Sequence, residues 1–256
     1  MYSGITTPVN LELDPATGSI SVKVTWGKLM SDSKFALLFK GVRGSVAIPT
    51  SALYHLQELT LEMCVQINNA DSMMVPLFCE TNLNQWNQAD GFGVKWEEGN
   101  LVFRVAVQSN LADAIGKPYS FKRGEWVHVA CTYDHHALSI YVNGKIFAAK
   151  RYENDIYYGN NGFSFGTAYH SLFGGQHYLR GMMDEVRIWN YARTPEQIQR
   201  TMRQTLSGYE SGLVGYWNCE QDTASTILYD KTDFYHNGAI NGDVSFVLSN
   251  AFSQSP

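Results

Sequence analysis

Short stretches in which apolar and polar residues alternate dominate this chain. Residues 59–67, LTLEMCVQI, and residues 19–26, SISVKVTW, place every second residue on one apolar face, which is typical of a half-buried β-strand. Other apolar runs between turn residues predict strands at 35–39, 45–48, 75–80, 92–96, 101–107, 126–133, 138–142, 146–149, 162–166, 213–217 and 244–248. A dozen or more short strands predict an all-β, antiparallel sandwich or barrel.

Residues 181–199, GMMDEVRIWNYARTPEQIQ, predict a buried strand that runs into a helix. Strict alternation along the strand places Asp184 on the same face as Val186 and Ile188, which we expect to point into the core. A buried carboxylate without a partner costs on the order of several kcal/mol. Asp184 is therefore expected to accept backbone hydrogen bonds or to bind a metal.

The single predicted helix begins after Thr194. Thr194 is a suitable N-cap, Pro195 suits the first helical position, and Gln197 stands three residues after the cap, as in a capping box. We expect this helix to end at about Gln204.

Hairpins are predicted by turn residues between strands. Asn143-Gly144 is the strongest signal, and residues 75–80 are expected to return antiparallel to residues 59–67. Cys64 and Cys79 flank that turn and would then sit opposite each other. Four cysteines are too few and too scattered for a disulfide scaffold, so reduced, packed thiols are favoured over a Cys64–Cys79 bridge.

Composition and charge narrow the class of protein. The 256 residues and net charge of −5 fit one large acidic domain. No run of Lys and Arg stands out, so nucleic-acid binding through a basic patch is disfavoured. No apolar run reaches the ~20 residues of a membrane helix. The first residues show no signal peptide, so the chain is expected either to stay inside the cell or to lack its leader here.

Two segments carry a family resemblance. Residues 126–144, WVHVACTYDHHALSIYVNG, and residues 181–199 resemble the central hairpin and the closing strand and helix of laminin-G-like domains in the concanavalin A-like jelly-roll superfamily. Residues 212–217, GLVGYW, resemble a third element of that family. The resemblance implies one jelly-roll β-sandwich over residues 1–256, with a core at 33–205 and flanking strands in 1–32 and 206–256. The last segment is expected either to close this sandwich or to begin a second domain. The resemblance implies an extracellular protein, whereas the lack of a visible signal peptide leaves a cytoplasmic one open.

Catalysis is not favoured by the sequence. A glycosidase needs two carboxyl groups facing one cleft, but Glu97-Glu98 lie in a predicted turn and Asp184-Glu185 are adjacent, so that they diverge along a strand. No G-x-S-x-G elbow of a nucleophilic triad is present. No catalytic residue is therefore predicted.

The resemblance also implies one structural calcium ion. Related jelly rolls hold it with an aspartate of the closing strand, here Asp184, and with backbone carbonyls near an early glycine, here Gly41; calcium prefers such oxygen ligands. The alternative is that Asp184 accepts backbone hydrogen bonds.

Two polar, aromatic loops are the candidate ligand surface. A sugar is bound by an aromatic face together with amides and carboxylates that read its hydroxyls, which fits loops 81–91 and 152–178. We expect non-catalytic recognition of a glycan or glycoprotein; the alternatives are a protein-interaction or structural module and, third, a glycan-active enzyme. The predicted ligand residues are Asn84, Trp86, Asn87, Asp90, Tyr157, Tyr158, Asn160, Asn161, His170 and Phe173.

Overall fold

The computed structural model describes residues 10–13, 20–23, 35–68, 74–80, 91–108, 111–159, 162–170, 175–249 and 251. The chain divides into two units, Met1–Ser31 and Asp32–Pro256. In the first unit, strands β1 (Asn10–Leu13) and β2 (Ile20–Lys23) form an antiparallel hairpin. The second unit holds all the elements described below.

The first sheet of the larger unit, sheet I, has eight strands. Their order is β12-β11-β10-β5-β16-β3-β20, and β17 pairs with β16 as well. The strands are β3 (Phe35–Lys40), β5 (Leu59–Ile67), β10 (Trp126–Tyr133), β11 (Ala137–Val142), β12 (Lys145–Arg151), β16 (Arg180–Trp189), β17 (Leu213–Trp217) and β20 (Val244–Leu248).

The second sheet, sheet II, also has eight strands, in the order β18-β19-β4-β13-β6-β7-β8-β9. They are β4 (Ser45–Ile48), β6 (Met74–Glu80), β7 (Phe92–Glu97), β8 (Asn100–Gln108), β9 (Leu111–Pro118), β13 (Phe163–Phe165), β18 (Ile227–Leu228) and β19 (Gly238–Asn241). A separate hairpin, β14 (Thr167–His170) with β15 (Gly175–Tyr178), contacts β6. The helices are the 3-10 turn η1 (Ala52–Tyr54) and α1 (Pro195–Thr201).

One hydrophobic core lies between the two sheets. The apolar positions of β5, among them Leu61 and Met63, share it with Phe103 and Val105 of β8. Alternation gives each strand this inner face and a second, outer face. The predicted antiparallel β-sandwich is confirmed. In the described part of the chain, no helix is long and apolar enough to span a membrane.

Several local predictions agree with the structure. Asn143 and Gly144 connect β11 to β12 with φ of 48° and 73°, as a tight two-residue turn requires. The capping box at Thr194 is present, although α1 ends at Thr201 rather than near Gln204. Residues after 206 contribute strands to both sheets, because β17 and β20 join sheet I and β18 and β19 join sheet II.

The predicted hairpin between residues 59–67 and 75–80 is wrong. β5 pairs with β10 and β16 in sheet I, whereas β6 pairs with β7 and β13 in sheet II. Cys64 and Cys79 therefore lie in different sheets, and Cys64 is a free, buried thiol. Both strands present an apolar face, and crossing to the opposite sheet lets both faces bury themselves in the shared core.

The predicted orientation of Asp184 is also wrong. The register of β16 against β5 shifts between Asp184 and Arg187, and Glu185 adopts a φ of 53°. This bulge inserts one residue into the alternation, so Met183, Val186 and Ile188 face the core. Asp184 instead pairs with Cys64 on the outer face of sheet I.

Candidate functional site

The segment that crosses from β12 to β13 holds two of the predicted ligand residues, Tyr157 and Tyr158. Ile156 is buried in the core. The side-chain amide of Gln57 bonds both the N–H and the carbonyl of Ile156. Ile156 N donates to Gln57 Oε1 at 2.8 Å, and Gln57 Nε2 donates to Ile156 O at 3.0 Å. The crossing segment is therefore held to the residues that follow η1.

Tyr158 is anchored by the same region. Its hydroxyl donates to Leu56 O at 2.6 Å, and its ring stacks on His55 with centroids 4.8 Å apart. Phe92 approaches the Tyr158 ring edge-on at 6.3 Å. These contacts give Tyr158 a packing role at the rim of the sandwich.

Tyr157 is fixed through its backbone while its ring remains in solvent. Its N donates to Ala106 O at 2.9 Å, and its carbonyl accepts from Gly91 N at 2.8 Å. The side chain is 40% exposed. Because Gly91 ends the first predicted loop, the structure brings the end of that loop against the second predicted loop.

Most of the other predicted ligand residues lie outside the described part of the chain. This holds for Asn84, Trp86, Asn87, Asp90, Asn160, Asn161 and Phe173. His170 ends β14, where its backbone pairs with Gly175; its side chain is not among those described. The role of these residues stays a prediction.

Small side chains form much of the outer face of sheet II. Residues directly opposite each other on neighbouring strands point to the same face. The described members of one row across the sheet are Ile227, Ala239, Ala47, Ser164, Gly93 and Arg104. Between Ile227 and Arg104, the described side chains of this row are small; Cys79, whose side chain is not described, stands between Ser164 and Gly93.

Charged groups stand at the β7–β8 side of this face. Arg104 is exposed and lies two positions along β8 from Ala106, the residue that accepts the Tyr157 hydrogen bond. Lys95, on β7, pairs with Glu97 at 2.6 Å. Arg104 makes no ion pair with the residues that the structure describes.

Part of the outer face of sheet II is covered, at Ser164 of β13. Ser164 is 4% exposed although it lies on the outer face, and its Oγ donates to Thr167 O at 3.2 Å. Both strands of the hairpin contact β6, next to Ser164. Ser164 is therefore a covered position of the row, whereas Ala47 and Ala239 are exposed.

The predicted calcium ligands are placed as follows. Asp184 is fully buried; its Oδ1 accepts from Glu185 N at 2.8 Å and its Oδ2 from Ser249 Oγ at 3.1 Å. Gly41 has a φ of 83° and packs against Arg180. The described residues contain no group of three His, Cys, Asp or Glu side chains arranged to hold a metal.

The outer face of sheet I carries a buried network of charges instead of an open surface. Glu62 accepts from Arg193 Nη1 and from His128 Nε2, the latter at 3.2 Å, and Arg187 Nη1 lies 3.6 Å away. Arg187 also pairs with Glu185 at 2.6 Å. All five side chains are at most 7% exposed, because α1 and the residues after it lie over them.

The two arginines, rather than His128, balance the charge on Glu62. Burial by itself would raise the pKa of Glu62, but the His128 hydrogen bond and the charges of Arg187 and Arg193 lower it to about 2. Burial lowers the pKa of His128, although Glu62 acts to raise it. A neutral His128 that donates its Nε2–H to an ionised Glu62 satisfies both directions; this tautomer is assigned from the hydrogen-bond pattern.

The arginines also tie the helix region to the sheet. Arg187 Nη1 donates to Thr201 O at 3.1 Å, and Arg193 Nη2 donates to Gln197 O at 2.9 Å. Arg193 lies over the Trp189 ring at 4.1 Å. Arg187 of the DEVRIW sequence and Arg193, which follows β16, therefore fix α1 to the sheet, which is a structural role.

The sequence prediction missed Arg104, His55 and Gln57. Arg104 could have been found, since it is the charged residue on the outward positions of the alternating LVFRVAV stretch. Gln57 bonds a residue 99 positions away, and no local pattern signals such a contact.

Solved structures with this fold include two informative neighbours. One is a protein from Bacteroides ovatus described as a candidate carbohydrate-binding protein, with 21% identity and a TM-score of 0.64; the match covers 85% of this chain and 61% of that one. The other is the native heptameric SAP-like pentraxin from Limulus polyphemus, with 15% identity and a TM-score of 0.54; the match covers 87% of this chain and 98% of that one. At these identities the likeness establishes the fold.

No curated protein sequence is significantly similar to the chain. A family model described as the concanavalin A-like lectin/glucanases superfamily matches residues 40–199, more than half of the chain. With the two-sheet sandwich and the β16–α1 closure, the chain belongs to the laminin-G-type family of the concanavalin A-like lectin/glucanase superfamily.

Proposed function

We propose that this domain is a non-catalytic carbohydrate-binding module. Its ligand lies at the β7–β8 side of the outer face of sheet II, against Tyr157 and Arg104. The partner is a free glycan or the glycan of a glycoprotein.

The observation that carries this proposal is the Tyr157 ring, which is 40% exposed on a backbone bonded to both Gly91 and Ala106. A ring whose backbone is already ordered loses little conformational entropy when a ligand stacks on it. Tyrosine presents both an apolar face and a hydroxyl, which matches the C–H and O–H groups of a sugar.

The surroundings of Tyr157 support a polar ligand. Arg104 supplies hydrogen-bond donors, which sugar hydroxyls can accept. Gly93, directly opposite Arg104 on β7, carries no side chain that would crowd a ligand there. The polar loop 81–90, with Trp86 among amides, leads into Gly91 at the same point. The Bacteroides ovatus neighbour is described as carbohydrate-binding, which agrees with this choice of ligand.

The described outer face of sheet II lacks the pair of carboxyl groups that a glycosidase uses, which favours recognition without catalysis. Among the described strand residues that point outward from sheet II, Glu97 carries the one carboxylate, and it is paired with Lys95 at 2.6 Å. Glycosidases place two carboxyl groups about 5–9.5 Å apart across the scissile bond.

A glycan array tests the proposal. The wild type is expected to bind one class of glycan, and Tyr157→Ala and Arg104→Ala are each expected to weaken that binding about tenfold, since each removes one direct contact. Trp86→Ala tests the adjoining loop. Leu248→Ala, at an 81% exposed position of β20, is the control and should bind as the wild type does. Absence of binding to every glycan on the array would refute the proposal.

A further inference from the structure

Two neighbouring loops of the C-terminal region hold three aromatic rings in solvent. Tyr209 is 74% exposed, Phe234 44% and Tyr235 70%. The loops touch where Gly208, at a φ of 91°, packs on the carbonyl oxygen of Lys231; a Cβ at Gly208 would overlap that oxygen. The three rings, which we call the aromatic platform, therefore belong to two loops that pack together.

The loop at residues 230–237 is held rigidly by a buried carboxylate. Asp230 Oδ1 accepts from Tyr216 N at 3.0 Å and Thr232 N at 2.9 Å, and Oδ2 accepts from Thr232 Oγ1 at 2.8 Å and His236 N at 3.0 Å. The fully buried Trp217 donates from Nε1 to His236 O at 3.2 Å. The loop is thereby fixed to the core at both of its ends.

The loop at residues 207–210 is fixed in a similar way. The Glu210 carboxylate accepts from Ser207 N at 2.8 Å, Ser207 Oγ at 2.9 Å and Gly208 N at 3.0 Å. In the other loop, Tyr235 adopts a φ of 53°, which an aromatic residue keeps only when the surrounding structure enforces it. Both loops thus display their rings from an ordered backbone.

Ordered, exposed rings suit a ligand that stacks on them. The entropic cost of ordering the loops is met on folding and does not oppose binding. Polar residues, among them Ser207, Glu210 and the exposed Asp233, neighbour the rings along the chain. A protein interface has a more continuous apolar centre, whereas a glycan offers apolar C–H faces between hydroxyls. The acidic residues of the two loops, Glu210, Asp230 and Asp233, outnumber Lys231, which disfavours a polyanionic glycan.

We propose that the aromatic platform is a second carbohydrate-binding surface, for a neutral polysaccharide. This inference rests on the proposed function and extends it from one site to two. A polysaccharide offers enough sugar units for each site to bind its own segment, and we assign a trisaccharide to the Tyr157 site.

Affinity electrophoresis in gels that contain soluble xylan, arabinan, β-glucan or galactomannan tests the platform. The triple variant Tyr209→Ala, Phe234→Ala and Tyr235→Ala is expected to bind the retarding polysaccharide about tenfold more weakly than the wild type does. Calorimetry with a trisaccharide of the same polysaccharide should give unchanged affinity for this variant and a loss for Tyr157→Ala. The double variant Ile146→Ala and Leu248→Ala, at positions 59% and 81% exposed, is the matched control.

Each result decides a different point. If the triple variant is retarded like the wild type, the platform is not a binding surface, and the Tyr157 site stands. Loss of both polysaccharide and trisaccharide binding in the triple variant contradicts two separate sites. A wild type that no polysaccharide retards and no trisaccharide binds refutes both proposals. Tyr209→Ala alone, in the separate loop, keeps the test valid if the triple variant does not fold.

Discussion

The outer faces of the two sheets differ in what covers them. On sheet I, polar outward residues such as Glu62 and Cys64 are at most 4% exposed beneath α1 and the residues around it. On sheet II, Ala47, Ala239 and Arg104 are exposed. The fold uses one outer face to fasten its closing helix and leaves part of the other open. Polar residues on the two faces should therefore differ in their effect on stability.

The largest expected effect is on the covered face. Glu62→Ala leaves Arg187 and Arg193 buried without their shared partner, and the free energy of unfolding should fall by about 3–5 kcal/mol. Urea denaturation measures the change. Glu153→Ala, which breaks an exposed 2.8 Å pair with Arg151, is the control and should leave the free energy unchanged. A loss below about 1 kcal/mol for Glu62→Ala would contradict a stabilising network.

Acid should lower the stability of the folded protein through the same charge network. The pKa of His128 lies below its ordinary 6.5 in the folded protein, so its contribution to stability is full above pH 6.5 and is lost as the pH falls below that value. The pKa of Glu62 is about 2 rather than 4.5, so its contribution is lost as the pH falls from 4.5 towards 2. We expect the melting temperature to fall from pH 7 to pH 5. His128→Gln should flatten that slope; equal slopes in the two proteins would exclude His128 as the cause.

A smaller effect is expected at the start of the covering helix. Thr194 Oγ1 accepts from Gln197 N at 3.3 Å, and Gln197 Oε1 accepts from Thr194 N at 2.8 Å. Thr194→Ala removes one half of this capping box and should cost about 1 kcal/mol. Thr194→Ser keeps the acceptor and should restore most of the loss in the same urea titration. If Thr194→Ser is as destabilised as Thr194→Ala, the loss of stability does not come from the capping hydrogen bond.

The smallest expected effect concerns calcium. Both carboxylate oxygens of Asp184 already accept hydrogen bonds, from Glu185 N and Ser249 Oγ. We therefore expect the same melting temperature in calcium chloride and in EGTA, because a ligand of the native state must raise stability. A higher melting temperature with calcium that disappears in Asp184→Asn would instead support the metal site.

Local sequence patterns were enough to predict the regular secondary structure and its turns. The period of two predicted the inward side chains of β5 and β8. The turn residues Asn143 and Gly144 predicted the β11–β12 hairpin. The capping residues predicted where α1 begins. These features depend on interactions between residues that are close in the chain, so the chain displays them directly.

Tertiary structure decided the rest. Whether β6 returns beside β5 or crosses to the other sheet depends on which partner buries its apolar face, and the residues of β6 do not encode that choice alone. One bulge at Glu185 puts Asp184 on the face opposite Val186 and Ile188. An inserted residue reverses the alternation for every side chain that follows it.

For the candidate site, the sequence indicated the chemistry of the loops, including Tyr157, but not the surface they border. The proposed site combines Arg104 of β8 with Tyr157 of the crossing segment, which Gln57, Gly91 and Ala106 hold from distant points of the chain. Contacts of this kind follow from packing in three dimensions, and no period along the sequence records them.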